Sequence, residues 1–437
     1  MTVKVIGAGL AGCEAAHILS KKGIKVELHE MKPQSYSPAH KLPTFAELVC
    51  SNSLKAERFG SAAGLLKWEM EYLGSLTVPL AKKNAVPAGG ALAVDRVLFS
   101  KQVTEAIKSD PNITVVTGEV ENIDPDEYTI IATGPLTSGR LADSLKALCG
   151  EEYLSFYDAA APIVTADSID MEHAFFASRY DKGDGDDYIN CPLNKEEYEA
   201  FVSALVSAER ALLHENDMGL KVYEGCMPIE VLASRGTDAI RFGPMKPVGL
   251  KDPKTGHRPW AVLQLRKETK QAEMYNLVGF QTNLKFGEQK RVFGMIPALS
   301  HAEYVRYGVM HRNSFIDSPR VLNSDFSMKK HPKVCFAGQI SGVEGYMESA
   351  ASGIAAAFFM AGAINGEQLP PFPDITMIGA LSRYISDGSV KDFQPMGANF
   401  GILPPLPTAI RDKKERYNLL AERSAKWFSD NIRSEEK

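Results

Sequence analysis

The β-branched run Val3-Lys4-Val5-Ile6 leads directly into Gly7-Ala8-Gly9-Leu10-Ala11-Gly12, and this junction restricts the fold more tightly than any other stretch. Ala11, Ala15, Ile18 and Leu19 then recur at helical spacing, and Gly23 supplies a stop. A second strand follows over Ile24–Glu30. The glycines of such a turn serve different ends. Gly7 permits the tight bend, Gly9 lets the backbone approach a diphosphate, and Gly12 lets helix and strand pack closely. Ala8, Leu10 and Ala11 lie at the start of the helix, whose free N–H groups and positive dipole end suit an anion. Glu30 closes the second strand 18 positions after Gly12, where a carboxylate accepts hydrogen bonds from ribose hydroxyls and repels a 2′-phosphate. A GxGxxG alone also describes an empty glycine turn. Strand, helix, second strand and terminal Glu together point to a bound dinucleotide, FAD or NAD rather than NADP.

Two later segments favour FAD. Tyr128–Pro135 reads as a strand ending in Ala132-Thr133-Gly134, similar to the segment where flavoproteins return to the FAD sheet. Ile113–Val120, ahead of it, reads as a strand that brings Val120 near an adenine. Val334–Gln339 is another apolar strand ending in Gly338, and Gly345-Tyr346 introduces a helix of small residues. An ordinary βα unit has the same outline, but this order resembles the closing strand and helix of a two-part FAD domain. Gly338, Gln339, Gly345 and Tyr346 are therefore candidate flavin-side residues, as Thr133 and Gly134 are on the returning strand. No second GxGxxG follows the Ala-Thr-Gly turn, which argues against a separate pyridine-nucleotide domain. NAD(P)H would reach the flavin from the substrate side.

The sequence thus predicts an α/β protein with a Rossmann-like FAD-binding domain, split in sequence around an inserted α+β domain. The expected bounds are 1–150 and 289–437 for the two FAD-binding parts and 151–288 for the substrate-side insertion. Within the insertion, Glu196–His214 reads as one amphipathic helix and Gly183–Asp187 as an acidic turn. A chain of 437 residues exceeds what one compact core organises, in keeping with two lobes. A net charge of −5 provides no bulk field for nucleic acid, so an RNA partner needs a local patch. The six cysteines contain no CxxC pair and no metal-type spacing, which excludes a dithiol or zinc reading and leaves a reducing cytoplasm as the expected setting. Neither a basic leader before Val3 nor an apolar stretch of membrane-spanning length is apparent, and the tail from Glu435 reads as frayed.

Several longer stretches then resemble one family, the folate- and FAD-dependent tRNA (uracil-5-)-methyltransferases. They are Ser37–His40, Phe45–Leu54, Pro87–Arg96, Tyr223–Glu230, Val278–Leu284 and Met310–Asn313, and Gly338–Tyr346 is shared with the related wobble-uridine modification flavoproteins. The resemblance implies formation of 5-methyluridine at position 54 in the T loop of tRNA. It also implies methylenetetrahydrofolate as carbon donor and NAD(P)H as the reductant of FAD. The chemistry accounts for this set of reagents. A methylene group is two electrons more oxidised than a methyl, and uracil C5 becomes nucleophilic once a thiolate has added at C6.

By composition alone a cysteine is more often an inert small hydrophobe than a catalyst. The resemblance singles out Cys226 as the candidate nucleophile on uracil C6. It places Cys50 near the flavin as an acid/base or flavin-protecting group. Cys13 and Cys335 read as packing, and Cys149 and Cys191 carry no argument. Tyr346 reads equally well as a ring stacked on flavin or pterin and as a core aromatic. Candidate RNA-facing cations fall in three sets: Lys285, Lys290, Arg291, Arg306, His311 and Arg312; Lys329, Lys330, His331 and Lys333; and Arg411–Arg416. Each is also compatible with a solvated face. The same chemistry on ribosomal RNA, a small-molecule FAD oxidoreductase and a non-catalytic FAD-dependent RNA-binding module are the rival readings.

Overall fold

A computed structural model describes residues 1–137, 139–150, 153–159, 161–181, 187–211, 227–268, 271–308, 310–390 and 393–432. The first strand, Thr2–Ile6, lies at the centre of a five-stranded parallel sheet. On one side it pairs with Lys25–Glu30, which pairs in turn with Ile113–Thr117. On the other it pairs with Thr129–Ile131, and that strand with the closing strand Val334–Phe336. Residues more than 300 positions apart thus share one sheet. Parallel strands need crossover connections and burial on both faces. Thr129–Ile131 and Val334–Phe336 are buried at every position, in keeping with that requirement.

The helix Leu10–Lys21 packs against the closing helix Tyr346–Ile364, where Gly353 allows the approach. A Cβ on Gly353 would lie 2.1 Å from the Ala11 carbonyl oxygen, so any larger residue separates the two helices. By length and composition the closing helix is apolar enough to cross a membrane, contrary to the sequence reading, but it is mostly buried within the protein. It packs against the first helix and against Ala62–Tyr72 and Met377–Ser386.

A second core lies over the first. Its six-stranded antiparallel sheet runs, in order, through Phe175–Phe176, Tyr188–Leu193, Ala261–Lys267, Met274–Leu277, Ile163–Thr165 and Tyr304–Arg306. Helix Lys195–Ser207 packs on this core after a capping box between Asn194 and Glu197. The helix ends at Ser207, earlier than the amphipathic pattern to His214 predicts. Ala208 turns extended, and Arg210 forms a bridge with Leu284 that takes the chain into a strand-like path. The second core extends through Ala302 and its sheet through Arg306. On these packing grounds we place the return to the first lobe beyond Arg306 rather than after residue 288. A two-stranded ribbon, Tyr153–Ala159 with Met310–Ile316, joins the lobes.

Candidate active site

One cleft runs along the carboxyl ends of the parallel strands, the position expected for a ligand of an open α/β sheet. Gly7, Ala8, Gly9, Leu10 and Ala11 line its middle. Gly7 adopts φ +97°, and a Cβ there would lie 2.6 Å from the Ala132 carbonyl oxygen, so the turn requires glycine. Gly9 caps the first helix with no side-chain hydrogen bond, and a Cβ built on it meets no protein atom within 4 Å. The space above Gly9 is therefore open cleft facing a helix N-terminus, and it fits a diphosphate. Gly12 does not line the cleft. A Cβ on it would lie 1.8 Å from the Gly7 carbonyl oxygen, so this glycine lets the helix pack under the turn.

Glu30, Val120, Thr133 and Gly134 line the cleft as well. The Glu30 carboxylate is 7% exposed and accepts the Ala8 N–H at 2.8 Å and the Lys32 N–H at 3.0 Å. Two backbone donors orient it, and its remaining lone pairs are available to ribose hydroxyls. Gly118 is tied to the Glu30 carbonyl at 2.9 Å, which brings the Gly118–Val120 turn beside it. Across the cleft, the hydroxyl of Thr137 donates to Thr133 Oγ1 at 2.7 Å and to the Gly134 carbonyl at 2.8 Å. The donor set thus fits a dinucleotide from ribose to diphosphate.

Gly338, Gln339, Cys50, Tyr346 and Asn313 also line this cleft. Gly338 stands at φ +83°, with its N–H donated to Ser352 Oγ at 2.7 Å. Gly345 does not line the cleft, in contrast to its assignment from sequence. It stands at φ +123° beside the Lys55–Glu348 ion pair and lets the chain enter the closing helix. Tyr346 is the first residue of that helix, and its hydroxyl accepts the Cys50 N–H at 2.8 Å and lies 3.0 Å from Cys50 Sγ. Burial, and then the neighbouring Cys50, push the Tyr346 hydroxyl well above its ordinary pKa, so it remains a phenol.

The loop carrying Cys50 is held from behind by three guanidinium groups. Arg96 donates to the Leu48 carbonyl at 2.9 Å and the Val49 carbonyl at 3.2 Å, and Arg306 also donates to the Val49 carbonyl. Arg266 donates to Asn52 Oδ1 at 2.8 Å and Ser51 Oγ at 2.7 Å. Glu268 lies 2.8 Å from Arg96 Nε and is the buried counter-charge. Burial, and next the Arg96 charge, lower the pKa of Arg306. Arg306 is thus an internal clamp rather than an RNA-facing cation.

Some members of the other basic sets are engaged within the protein. Lys285 pairs with Glu209 and Arg291 with Glu288, while Lys329 and Lys333 donate to the carbonyls of Pro319 and Asp126. Cys226 and most of the Gly183–Asp187 turn lie outside the described residues, as do the side chains of His311 and Arg312. Cys13, Cys149, Cys191 and Cys335 are buried; desolvation raises the pKa of Cys13, Cys191 and Cys335, as suits packing thiols. Sequence reasoning did not assign His40, Asn313, Lys32, Glu47, Thr137 or Ser349 to the cleft. His40, Glu47 and Asn313 stood inside stretches that carried the family resemblance, which was the available signal. Among the described residues there is no cluster of His, Cys, Asp or Glu fit for a metal.

The fold and the cleft define a protein of the Rossmann-like FAD-binding class with an inserted sheet. The same architecture is found in the crystal structure of Aquifex aeolicus GidA, with a TM-score of 0.70 at 15% identity over 98% of this chain and 73% of that one. The profile of the glucose inhibited division protein A family matches residues 2–368. A methylenetetrahydrofolate–tRNA-(uracil-5-)-methyltransferase TrmFO from Acetivibrio thermocellus is 57% identical over 98% of each chain. One from Listeria monocytogenes is 57% identical over 97% of each. The chain belongs to the glucose inhibited division protein A family and, within it, to the TrmFO methyltransferases.

Proposed function

We propose that this protein transfers a one-carbon unit from methylenetetrahydrofolate to C5 of the T-loop uridine of tRNA, with reducing equivalents from NAD(P)H passing through FAD. The observation that carries the reading is the single cleft that joins the Gly7–Ala11 turn and Glu30 to Cys50 and Tyr346. The near full-length likeness to TrmFO proteins supports the choice of substrate. In this reading, the amides at the start of the first helix hold the diphosphate, Glu30 the ribose, and Val120 flanks the adenine. Thr133, Gly134, Gly338 and Gln339 border the rest of the cofactor. When bound and reduced by NAD(P)H, the flavin would supply the hydride that takes the transferred carbon from the methylene to the methyl level.

The protein's own groups account for the remaining requirements. The thiolate of Cys226 adds to uracil C6 and makes C5 a nucleophile. The Tyr346 hydroxyl and Cys50 Sγ share a hydrogen bond at 3.0 Å, which holds that thiol in the cleft as an acid/base. Arg266 and Arg306, both from strands of the inserted sheet, fix the Cys50 loop at the cleft. A cytoplasmic location follows from such a substrate.

The test is nucleoside mass spectrometry of tRNA and rRNA from a strain lacking the gene. Loss of 5-methyluridine from tRNA alone is the expected result. Loss from rRNA alone, or from neither RNA, overturns the proposal.

A further inference from the structure

The strongest feature outside the cleft is a run of three aromatic rings at the edge of the six-stranded sheet. Phe286 opens the helix Phe286–Phe293 and is 55% exposed. Its ring centroid lies 4.7 Å from that of Tyr307, with 17° between the planes. Tyr307 in turn lies 4.8 Å from Tyr304, with 9° between them. Tyr304 is half-buried in the edge strand Tyr304–Arg306 and anchors the run, whereas Phe286 meets water. A solitary exposed Phe is ordinary. A ring held in near-parallel register with two others is different, because its orientation is already fixed before a partner arrives.

The position of the run relates it to the cleft. Arg306, between Tyr304 and Tyr307 in sequence, donates to the carbonyl of Val49, the residue before Cys50. The charges around Phe286 are Lys285, Glu288, Lys290 and Arg291, together with Glu209. Lys285 and Arg291 already hold carboxylates, so this surface is poorly suited to gripping phosphates. One ring face is also far smaller than the roughly 800 Å² per partner that a stable protein interface buries. A flat, immobile π face of that size matches one unpaired nucleobase, since every base has a face to stack.

We propose that Phe286 is a stacking platform for an unpaired base of the RNA substrate, next to the uridine that enters the cleft. The inference rests on the RNA-methylation reading above and adds a recognition contact to it. Phe286→Ala, Phe286→Leu and Phe286→Tyr are compared with the parent by filter binding of an unmodified full-length tRNA transcript. Flavin content and thermal midpoint establish that each variant is folded.

Stacking predicts that Ala and Leu both weaken tRNA affinity by roughly 5- to 100-fold, while Tyr stays within about threefold of the parent. In turnover, the KM for tRNA rises and that for methylenetetrahydrofolate does not. Parental affinity in the Ala variant overturns the proposal. So does full rescue by Leu, which shows a merely apolar contact, or a shift confined to the folate KM. A parent protein that methylates no tRNA removes the underlying reading whatever Phe286 does. A parent that methylates tRNA, with an Ala variant of equal affinity, removes the stacking contact alone.

Discussion

The Tyr346 hydroxyl lies 3.0 Å from the Cys50 sulfur and accepts the Cys50 backbone N–H at 2.8 Å, so one phenol fixes both the thiol and the loop that carries it. The two residues are 296 positions apart, and the contact exists because the closing helix begins with Tyr346 at the cleft wall. Tyr346→Phe leaves the ring in place and removes the acceptor. A buried donor without its partner costs about 1–3 kcal/mol. The variant should unfold at correspondingly lower urea, and an unchanged midpoint would show that the Cys50 N–H has another partner.

The glycines of the first turn should separate by phenotype. Gly9→Val puts its side chain into open cleft, where no protein atom lies within 4 Å of the new Cβ. It should fold with a near-parental thermal midpoint and lose its flavin absorbance. Gly12→Ala forces a Cβ to 1.8 Å from the Gly7 carbonyl oxygen and should fail at folding itself. Equal flavin loss at equal stability in both variants would contradict this division.

Arg306 offers a test of clamp against phosphate contact. A cation that binds tRNA phosphate contributes about one unit to the salt slope of affinity. Because Arg306 is directed at the Val49 carbonyl, Arg306→Met should leave that slope unchanged. It should lower methylation kcat by about tenfold or more, equivalent to ~1.4 kcal/mol of transition-state stabilisation, through displacement of the Cys50 loop. A shallower salt slope with intact kcat would return Arg306 to the RNA surface.

Glu69 should make stability depend on pH. It is fully buried, accepts the N–H groups of Met377 and Ile378 at 2.7 and 2.8 Å, and accepts the Ser424 hydroxyl at 2.6 Å. Burial outweighs these bonds and raises its pKa from 4.5 to about 7. A raised carboxyl pKa means that the folded state binds the proton more tightly. Its stabilising contribution is full below pH ~4.5 and is lost as pH rises through ~7, a change on the order of 3 kcal/mol. Glu69→Gln, neutral throughout, should flatten chemical-denaturation stability over that window. A parallel pH dependence in both proteins would refute the assignment.

If Cys226 is the nucleophile proposed above, Cys226→Ala should retain its flavin and lose methylation of tRNA. Parental single-turnover methylation in the variant would end the assignment of Cys226 as nucleophile.

Local chemistry made much of the cofactor half legible. Gly7, Gly9 and Glu30 are read from a turn whose backbone requirements are met within one βαβ unit, so sequence distance hides nothing. Gly12 and Gly345 were harder to interpret. A glycine required for close packing and one required for ligand approach look alike until the atom opposite the missing Cβ is known. The return of the second lobe beyond Arg306 was obscured for a related reason. Helix Phe286–Phe293 and strand Tyr304–Arg306 have ordinary amphipathic patterns, and only the core they pack against assigns them to the inserted sheet. The Phe286–Tyr307–Tyr304 run carries no periodic signal because it spans a helix, a strand and the turn after it.

The sequence by itself marked the start of the first helix as a dinucleotide site, because φ, helix capping and a strand-end carboxylate are local properties. It also carried the family, through stretches long enough to be specific. Tertiary structure alone decided which charges face solvent. Arg306 could be read as a surface cation until the fold turned it inward toward Val49, where burial lowers its pKa and a carbonyl holds it. The same holds for Cys50 and Tyr346. Each is ordinary in its own segment, and their contact follows from packing the closing helix against the first, a consequence of chain topology that no local pattern encodes.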